Sequence, residues 1–312
     1  MITVSVPGKI HLMGEHAVVY GTPALLAAIN KRMSISIESA KKTEIITLES
    51  KKYVSYALEQ VKKYLHMETL PPMRITITSN IPAGFHLGSS AAAAVGIVAA
   101  VIYFIKKIWN PNLINQIAYE VEKKQHGNPS GGDNTIVTMG GMIWFRKELE
   151  FLKSIWQLDI AIPKSLNHFV LVNTGKPKET TGEMVAFVRI KVNKNPEKMK
   201  RLFLENEEQV KKIAVAIKEE NETMLLNALK QGEQTLEKMG VVGKTIIPCI
   251  RAIEASGGAV KILGGGGKKE GVGFLLCYHK KKKILENITK KFGYPIENIV
   301  LGEAGVRLDR KE

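Results

Sequence analysis

The chain has 312 residues, 45% of them hydrophobic and 24% charged, which is typical of a folded protein and long enough for two domains. Its net charge of +15 is compatible with nucleic acid, an acidic membrane surface or anionic small molecules as partners. Aromatic residues are only 6% of the chain and do not interleave with basic clusters such as the lysine run at 280–283. We therefore expect a solvated basic surface, with no nucleic-acid and no membrane partner.

Three features of the sequence predict a cytoplasmic protein. Cys249 and Cys277 stand in apolar surroundings without metal-ligand spacing, as buried thiols in a reducing compartment do. The chain begins with a strand pattern rather than a signal peptide. Its longest apolar run, residues 91–105, is shorter than the roughly 20 residues needed to span a bilayer, and we interpret it as a buried helix.

Hydrophobic periodicity predicts the elements of the first half of the chain. Alternating patterns predict strands over residues 2–6, 33–39 and 74–78. Apolar residues at helical spacing predict helices over residues 51–66, 89–108 and 112–125. Two more strands are predicted near residues 135–138 and 141–145.

A second block begins near residue 160, and we place the boundary between two domains so that they span residues 1–158 and 159–312. Its predicted strands are 168–173, 259–263 and 272–278. Its predicted helices are 180–191, 197–219, 222–238, 245–256 and 280–292. Strands and helices do not alternate strictly, so the pattern favours an α+β fold over a doubly wound sheet.

The first glycine-rich element runs from Pro7 to Gly21 and carries Lys9, Glu15 and His16. A lysine offers a point charge for a phosphate or for an attacking oxygen. On spacing alone, an exposed surface lysine is favoured over a functional one at Lys9.

The second element, residues 81–92, follows a strand and opens the alanine-rich helix. Backbone N–H groups at a helix N-terminus form an anion site, and Ser89 and Ser90 supply hydroxyls for a phosphate or for Mg²⁺. Simple N-capping by a serine explains one of these hydroxyls but not the glycines that precede them.

The third element, residues 126–134, is a turn with three glycines and a proline that ends in Asp133. A carboxylate on a rigid turn is a plausible general base. On the preceding helix, Glu122 lies on or beside the apolar face, where it needs a partner. That partner is either a metal ion or a basic side chain such as Lys123, Lys124 or Arg146.

A fourth element, the glycine run at residues 264–267, either wraps a ligand or forms a flexible hairpin.

These elements, in this order, resemble the motifs of the GHMP small-molecule kinases. Within that superfamily the chain is most similar to the mevalonate kinases, through residues 7–9, 14–21 and 126–134, while residues 87–92 match the superfamily as a whole. The resemblance extends over nearly the whole chain. It implies a ribosomal S5 domain 2-like N-terminal domain and a ferredoxin-like C-terminal domain, with the active site between them.

The resemblance also implies roles for individual residues. Asp133 is expected to be the catalytic base, and Lys9 to stabilise the transferring phosphoryl group. Mg²⁺ is expected on Ser90 and Glu122, and the substrate on Glu15, His16 and Thr180. The ATP phosphates are expected on Gly84, Leu87, Gly88, Ser89 and Ser90. ATP and (R)-mevalonate are the implied substrates, 5-phosphomevalonate is the product, and a homodimer is a common assembly of the family.

The chain departs from the family pattern at two places. His86 stands where the family has glycine, either facing the phosphates or facing solvent. In the glycine run, Leu263 replaces a hydroxyl residue, Gly265 replaces alanine, and residues 268–270 interrupt the run.

Three other functions compete with mevalonate phosphorylation. A kinase of the same superfamily acting on phosphomevalonate, homoserine or a sugar is disfavoured by the Glu15-His16 pair together with the turn at 126–134. A non-catalytic protein is disfavoured because Lys9, Ser90, Glu122 and Asp133 are all present. No feature favours a related decarboxylase.

Overall fold

A computed structural model describes residues 1–126, 129–149 and 151–310, apart from the side chains of Gln125, His126 and Arg310. The first sheet contains the strands β1 (Ile2–Met13), β2 (Pro23–Ser39), β3 (Glu44–Ile46), β4 (Met73–Ser79), β5 (Met142–Lys147), β6 (Lys153–Leu158) and β11 (Arg307–Arg310). The second contains β7 (Phe169–Asn173), β8 (Ala259–Ile262), β9 (Phe274–Tyr278) and β10 (Ile296–Asn298).

The α-helices fall into two groups along the described chain. Those near the first sheet are α1 (Lys51–Tyr64), α2 (Ser89–Lys106), α3 (Pro111–His126) and α4 (Gly132–Met139). Those of the second block are α5 (Thr181–Lys194), α6 (Pro196–Lys218), α7 (Glu222–Met239), α8 (Ile247–Ala255) and α9 (Lys282–Lys291). The expected α+β class is confirmed, because helices combine with two separate sheets in the described chain.

The first sheet is organised around the 17 residues of β2. The strand pairs antiparallel with β1 along most of its length, while its two halves pair with β5 and β4 respectively. The buried helix α2 packs on β1 and β2. A Cβ added to Gly96 would lie 2.2 Å from Cδ1 of Ile35, so the glycine lets α2 approach the sheet closely.

The helix α2 has the length and apolar composition of a membrane span, and 67% of it is buried inside the fold. Such burial is typical of the core helix that the alanine-rich run predicts. Its partners are the strands β1 and β2 and the helices α1 and α3.

The strand predicted at 135–138 is wrong, because these residues lie in helix α4 and form half of it. Its β-branched residues resemble a strand pattern, yet the two threonines satisfy their hydroxyls within the helix. Thr135 Oγ1 donates to the carbonyl of Gly131 at 2.7 Å, and Thr138 Oγ1 donates to that of Asn134 at 2.7 Å. The helix starts at Gly131, whose φ of 91° suits glycine.

The second sheet is antiparallel and has the order β10-β7-β9-β8. One hydrophobic core extends from the first sheet to β9 through Phe274, Leu276 and Tyr278. After the second sheet the chain returns, and β11 pairs antiparallel with β1. The first sheet therefore combines strands from both ends of the chain.

Candidate active site

The side chains of Lys9 and Asp133 meet in an ion pair at the centre of the site. Lys9 lies on β1 with 4% of its side chain exposed, and its Nζ is 2.9 Å from Oδ2 of Asp133. Asp133 lies in the first turn of α4, where the helix dipole favours a carboxylate. A Cβ on Gly88 would lie 2.7 Å from Cγ of Lys9, so that glycine leaves room for the lysine stem.

His11 also faces this pair, and the sequence interpretation missed it. Its Nε2 is 3.6 Å from Oδ1 of Asp133. Burial, with the nearby Lys9 ammonium, lowers the pKa of His11 to about 3, so the ring is neutral. The missed signal was strand alternation, because Lys9 and His11 are two residues apart and share one face of β1.

The segment from Ile81 to Ser90, called the phosphate loop below, is pinned against β1. The N–H of Lys9 donates to the carbonyl of Leu87 at 2.9 Å. Gly88, with a φ of 82° and no side-chain cap, is the N-cap of α2. Serine capping therefore does not explain this motif, because Ser89 and Ser90 lie inside the first turn. The helix N-terminus remains available to an anion.

Ser90 and Glu122 lie together on one side of the phosphate loop. Ser90 Oγ donates to Oε2 of Glu122 at 3.2 Å, and the Tyr53 hydroxyl donates to Oε1. Glu122 is 3% exposed, while the adjacent Lys123 pairs with Glu120. Burial and the Glu122 carboxylate raise the pKa of the Tyr53 phenol above its usual range. A hydroxyl and a buried carboxylate are hard oxygen donors, so this pair fits Mg²⁺.

The buried Glu15 forms an ion pair with Lys261, which is entirely buried. Lys261 Nζ also donates to the carbonyl of His11 at 3.1 Å. Burial raises the pKa of Glu15, and the Lys261 ammonium opposes this shift. Lys261, at the start of the fourth glycine element, was not assigned a role from sequence. It connects β8 to the strand that carries Lys9.

His16 joins the same turn to the glycine run. Its Nε2 lies 3.1 Å from the carbonyl oxygen of Gly265 and therefore donates a proton to it. Burial lowers the pKa of His16 to about 4, so the ring is neutral at pH 7.

The glycine run at 264–267, called the glycine loop below, is a packed structure rather than a free hairpin. The N–H of Gly267 donates to the carbonyl of Val241 at 3.0 Å. A Cβ on Gly266 would lie 2.1 Å from that carbonyl oxygen, so only glycine fits there. Lys268 is one of the residues that interrupt the glycine run, and its Nζ lies 4.2 Å from the ring centroid of Phe187.

Thr180 is the N-cap of α5 and takes part in a capping box with Glu183. Its hydroxyl donates to Glu183 Oε2 at 2.9 Å. The neighbouring Thr181 lies closer to the phosphate loop, since its Oγ1 is 3.2 Å from Nδ1 of His86.

Lys176 is a second residue that sequence reasoning did not assign. A Cβ on Gly84 would lie 2.7 Å from its Cε and 3.2 Å from its Nζ, so the lysine rests on the phosphate loop. Its backbone is fixed, because the Gly273 N–H donates to the preceding Gly175 carbonyl at 3.0 Å. Lys178 instead pairs with Glu270 at 2.8 Å.

This architecture and site define a small-molecule kinase, and a sequence profile described as GHMP kinases N terminal domain matches residues 52–141. The mevalonate kinase of Archaeoglobus fulgidus is 31% identical over 270 residues, covering 84% of this chain and 88% of that protein. The chain therefore belongs to the mevalonate kinase family of the GHMP kinases.

Solved structures share the fold. The crystal structure of Methanococcus jannaschii mevalonate kinase has a TM-score of 0.79 at 23% identity, covering 96% of this chain and 98% of that one. L. major mevalonate kinase in complex with R-mevalonate also has a TM-score of 0.79, at 21% identity, with 96% of both chains covered.

Proposed function

We propose that this enzyme transfers the γ-phosphoryl group of ATP to the 5-hydroxyl of (R)-mevalonate, giving 5-phosphomevalonate and ADP. The observation that carries the proposal is the Lys9–Asp133 ion pair, held between the first turn of α4 and the glycine Gly88 that caps α2. A base and a cation thus meet directly beside a helix N-terminus that can bind phosphate.

Asp133 accepts the proton of the substrate hydroxyl as the new O–P bond forms and the bond to ADP breaks. Lys9 offsets the negative charge that develops on the transferring group. The neutral His11 ring packs beside the carboxylate and adds no competing positive charge. The reaction needs no covalent intermediate, because positioning and charge neutralisation provide the catalysis.

The phosphates of ATP lie on the phosphate loop, against the backbone of Gly84, Leu87, Gly88, Ser89 and Ser90. Ser90 and Glu122 would hold Mg²⁺, which when bound neutralises charge on the β- and γ-phosphates. Lys176, which follows strand β7 of the second sheet, adds a positively charged side chain to this phosphate site. Its position over Gly84, where a side chain would collide with it, supports this role.

Glu15, His16 and Thr180 bind the substrate. His16 is neutral and its Nε2 is engaged by Gly265, while Glu15 is held by Lys261. Both side chains are therefore fixed before a ligand arrives, which lowers the entropy cost of binding.

A cytoplasmic location and a homodimer complete the proposal. The two free, buried cysteines, Cys249 and Cys277, support a reducing compartment. The homodimer is proposed only because it is a common assembly of the family.

A substrate panel tests the function. Purified protein with ATP and Mg²⁺ is assayed for ADP release with (R)-mevalonate, phosphomevalonate, homoserine and sugars. We expect ADP and 5-phosphomevalonate in equal amounts from mevalonate. Turnover of another alcohol in place of mevalonate would assign the second candidate function, and no turnover at all would indicate a non-catalytic protein.

A further inference from the structure

His86 adopts a backbone conformation that a side chain rarely takes. Its φ is 65°, in the left-handed region. Holding a non-glycine residue there is energetically unfavourable, so the ring is expected to contribute something that glycine would not.

The partly buried imidazole of His86 packs against the glycine loop. A Cβ added to Gly264 would lie 2.5 Å from Cβ of His86, and one on Gly265 would lie 3.4 Å from its Cε1. A Cβ on Gly273 would lie 3.3 Å from its Cδ2. Three glycines therefore form the surface on which this ring packs.

A hydrogen bond and the protonation of the His86 ring further define its role. Its Nδ1 lies 3.2 Å from Thr181 Oγ1, at the start of α5. Burial, with the nearby Lys9 ammonium, lowers the pKa of His86 to about 4. The ring is therefore neutral here and packs against the glycine loop.

The glycine loop is held from its other side by His16, which donates to the Gly265 carbonyl. One short loop thus connects a residue of the proposed phosphate site with a residue of the proposed substrate site. A methyl group at 264 would collide with the His86 side chain, at 2.5 Å from its Cβ and 2.8 Å from its Cγ, whereas one at 265 would only touch the ring, at 3.4 Å from Cε1.

We propose that His86 is a positioning residue that couples the phosphate loop to the glycine loop, and that Gly264 provides the space in which its side chain packs. This inference rests on the proposed function and adds His86 to the residues that shape the site. Through the glycine loop, His86 sets where His16 lies relative to Lys9.

A double-mutant cycle tests the coupling. The variants are His86→Ala, His86→Gly, Gly264→Ala and the combination of His86→Gly with Gly264→Ala. The dissociation constant of AMPPNP with Mg²⁺ is measured by calorimetry, and KM for mevalonate by ADP release. The exposed His66, with a φ of 50°, provides the matched control His66→Gly, which relieves the same strain away from the site.

We expect His86→Ala, His86→Gly and Gly264→Ala each to weaken AMPPNP binding about fivefold, while the combined variant loses less than the product of its two single losses, because His86→Gly removes the collision with the added methyl. His86→Gly should unfold at a higher temperature than His86→Ala, because glycine relieves the positive φ. A purely structural role would predict that binding follows stability, and it would leave the two sites independent.

Strictly multiplicative losses, or AMPPNP binding in His86→Ala equal to that in His66→Gly, would overturn the proposal. If the combined variant does not fold, the comparison of His86→Ala with His66→Gly decides alone. If the wild-type protein does not phosphorylate mevalonate, the proposed function fails, whereas the calorimetric cycle still tests the coupling of the two loops.

Discussion

At the scale of single residues, Lys176 is the clearest addition to the expected site. We predict that Lys176→Gln weakens binding of AMPPNP with Mg²⁺ about tenfold, because a charge-assisted contact to phosphate is lost. AMP, which lacks the outer phosphates, should bind almost unchanged. Lys178→Gln is the matched control, since Lys178 is exposed and paired with Glu270. Equal effects of the two substitutions would remove Lys176 from the phosphate site.

The buried histidines predict how stability depends on pH. The pKa of His11 is lowered to about 3 and that of His16 to about 4, mainly by burial, from an ordinary value of 6.5. The unfolded chain therefore binds more protons than the folded chain between about pH 6.5 and pH 4, and stability falls as pH falls through this window. Each such histidine contributes about 1.4 kcal/mol per pH unit well inside the window.

Urea unfolding at a series of pH values checks this expectation. The loss of stability below pH 6.5 should be less steep in His11→Gln than in the control His66→Gln, because His66 is exposed. The same slope in both variants would show that His11 is not buried in its neutral form.

At the scale of elements, long periodic segments were predictable and short ones were not. Helices α1, α2 and α3 follow from apolar spacing or from one continuous apolar run. The three-residue strands β3 and β10 have too little pattern to detect. Helix α4 was mistaken for a strand because its threonines bond to their own helix, which composition does not reveal.

The close packing of α2 on the sheet predicts that two glycine-to-alanine substitutions, at Gly96 and at Gly182, change stability differently. Gly96→Ala should destabilise the protein by about 1–3 kcal/mol, because the added methyl overlaps Ile35 and meets Val6 at 3.0 Å. Gly182 in α5 has more space, since an added Cβ there would lie 3.9 Å from Oγ1 of Thr180, which is an ordinary contact distance. Gly182→Ala should therefore be neutral or stabilise by up to about 1 kcal/mol. Denaturant unfolding of both variants measures the difference, and equal effects would contradict the packing.

At the scale of the whole molecule, the site exists because distant segments meet on β1. The motifs that carry Lys9, Ser90, Glu122 and Asp133 could be found in the sequence, because glycines and charged residues mark them. Roles for Lys261 and Lys176 could not be predicted, because each side chain reaches the site from the second sheet. Local sequence patterns do not show such contacts between distant segments. The return of β11 to β1 is hidden for the same reason.

The central claim is that Asp133, paired with Lys9, is the base for phosphoryl transfer to mevalonate. The most direct measurement is kcat for Asp133→Asn together with its dissociation constant for AMPPNP with Mg²⁺, beside the exposed-residue control Asp159→Asn. We expect a loss of about 100-fold or more in kcat for Asp133→Asn, with nucleotide binding retained and the control unchanged. An Asp133→Asn enzyme with the full rate of the wild type would contradict it.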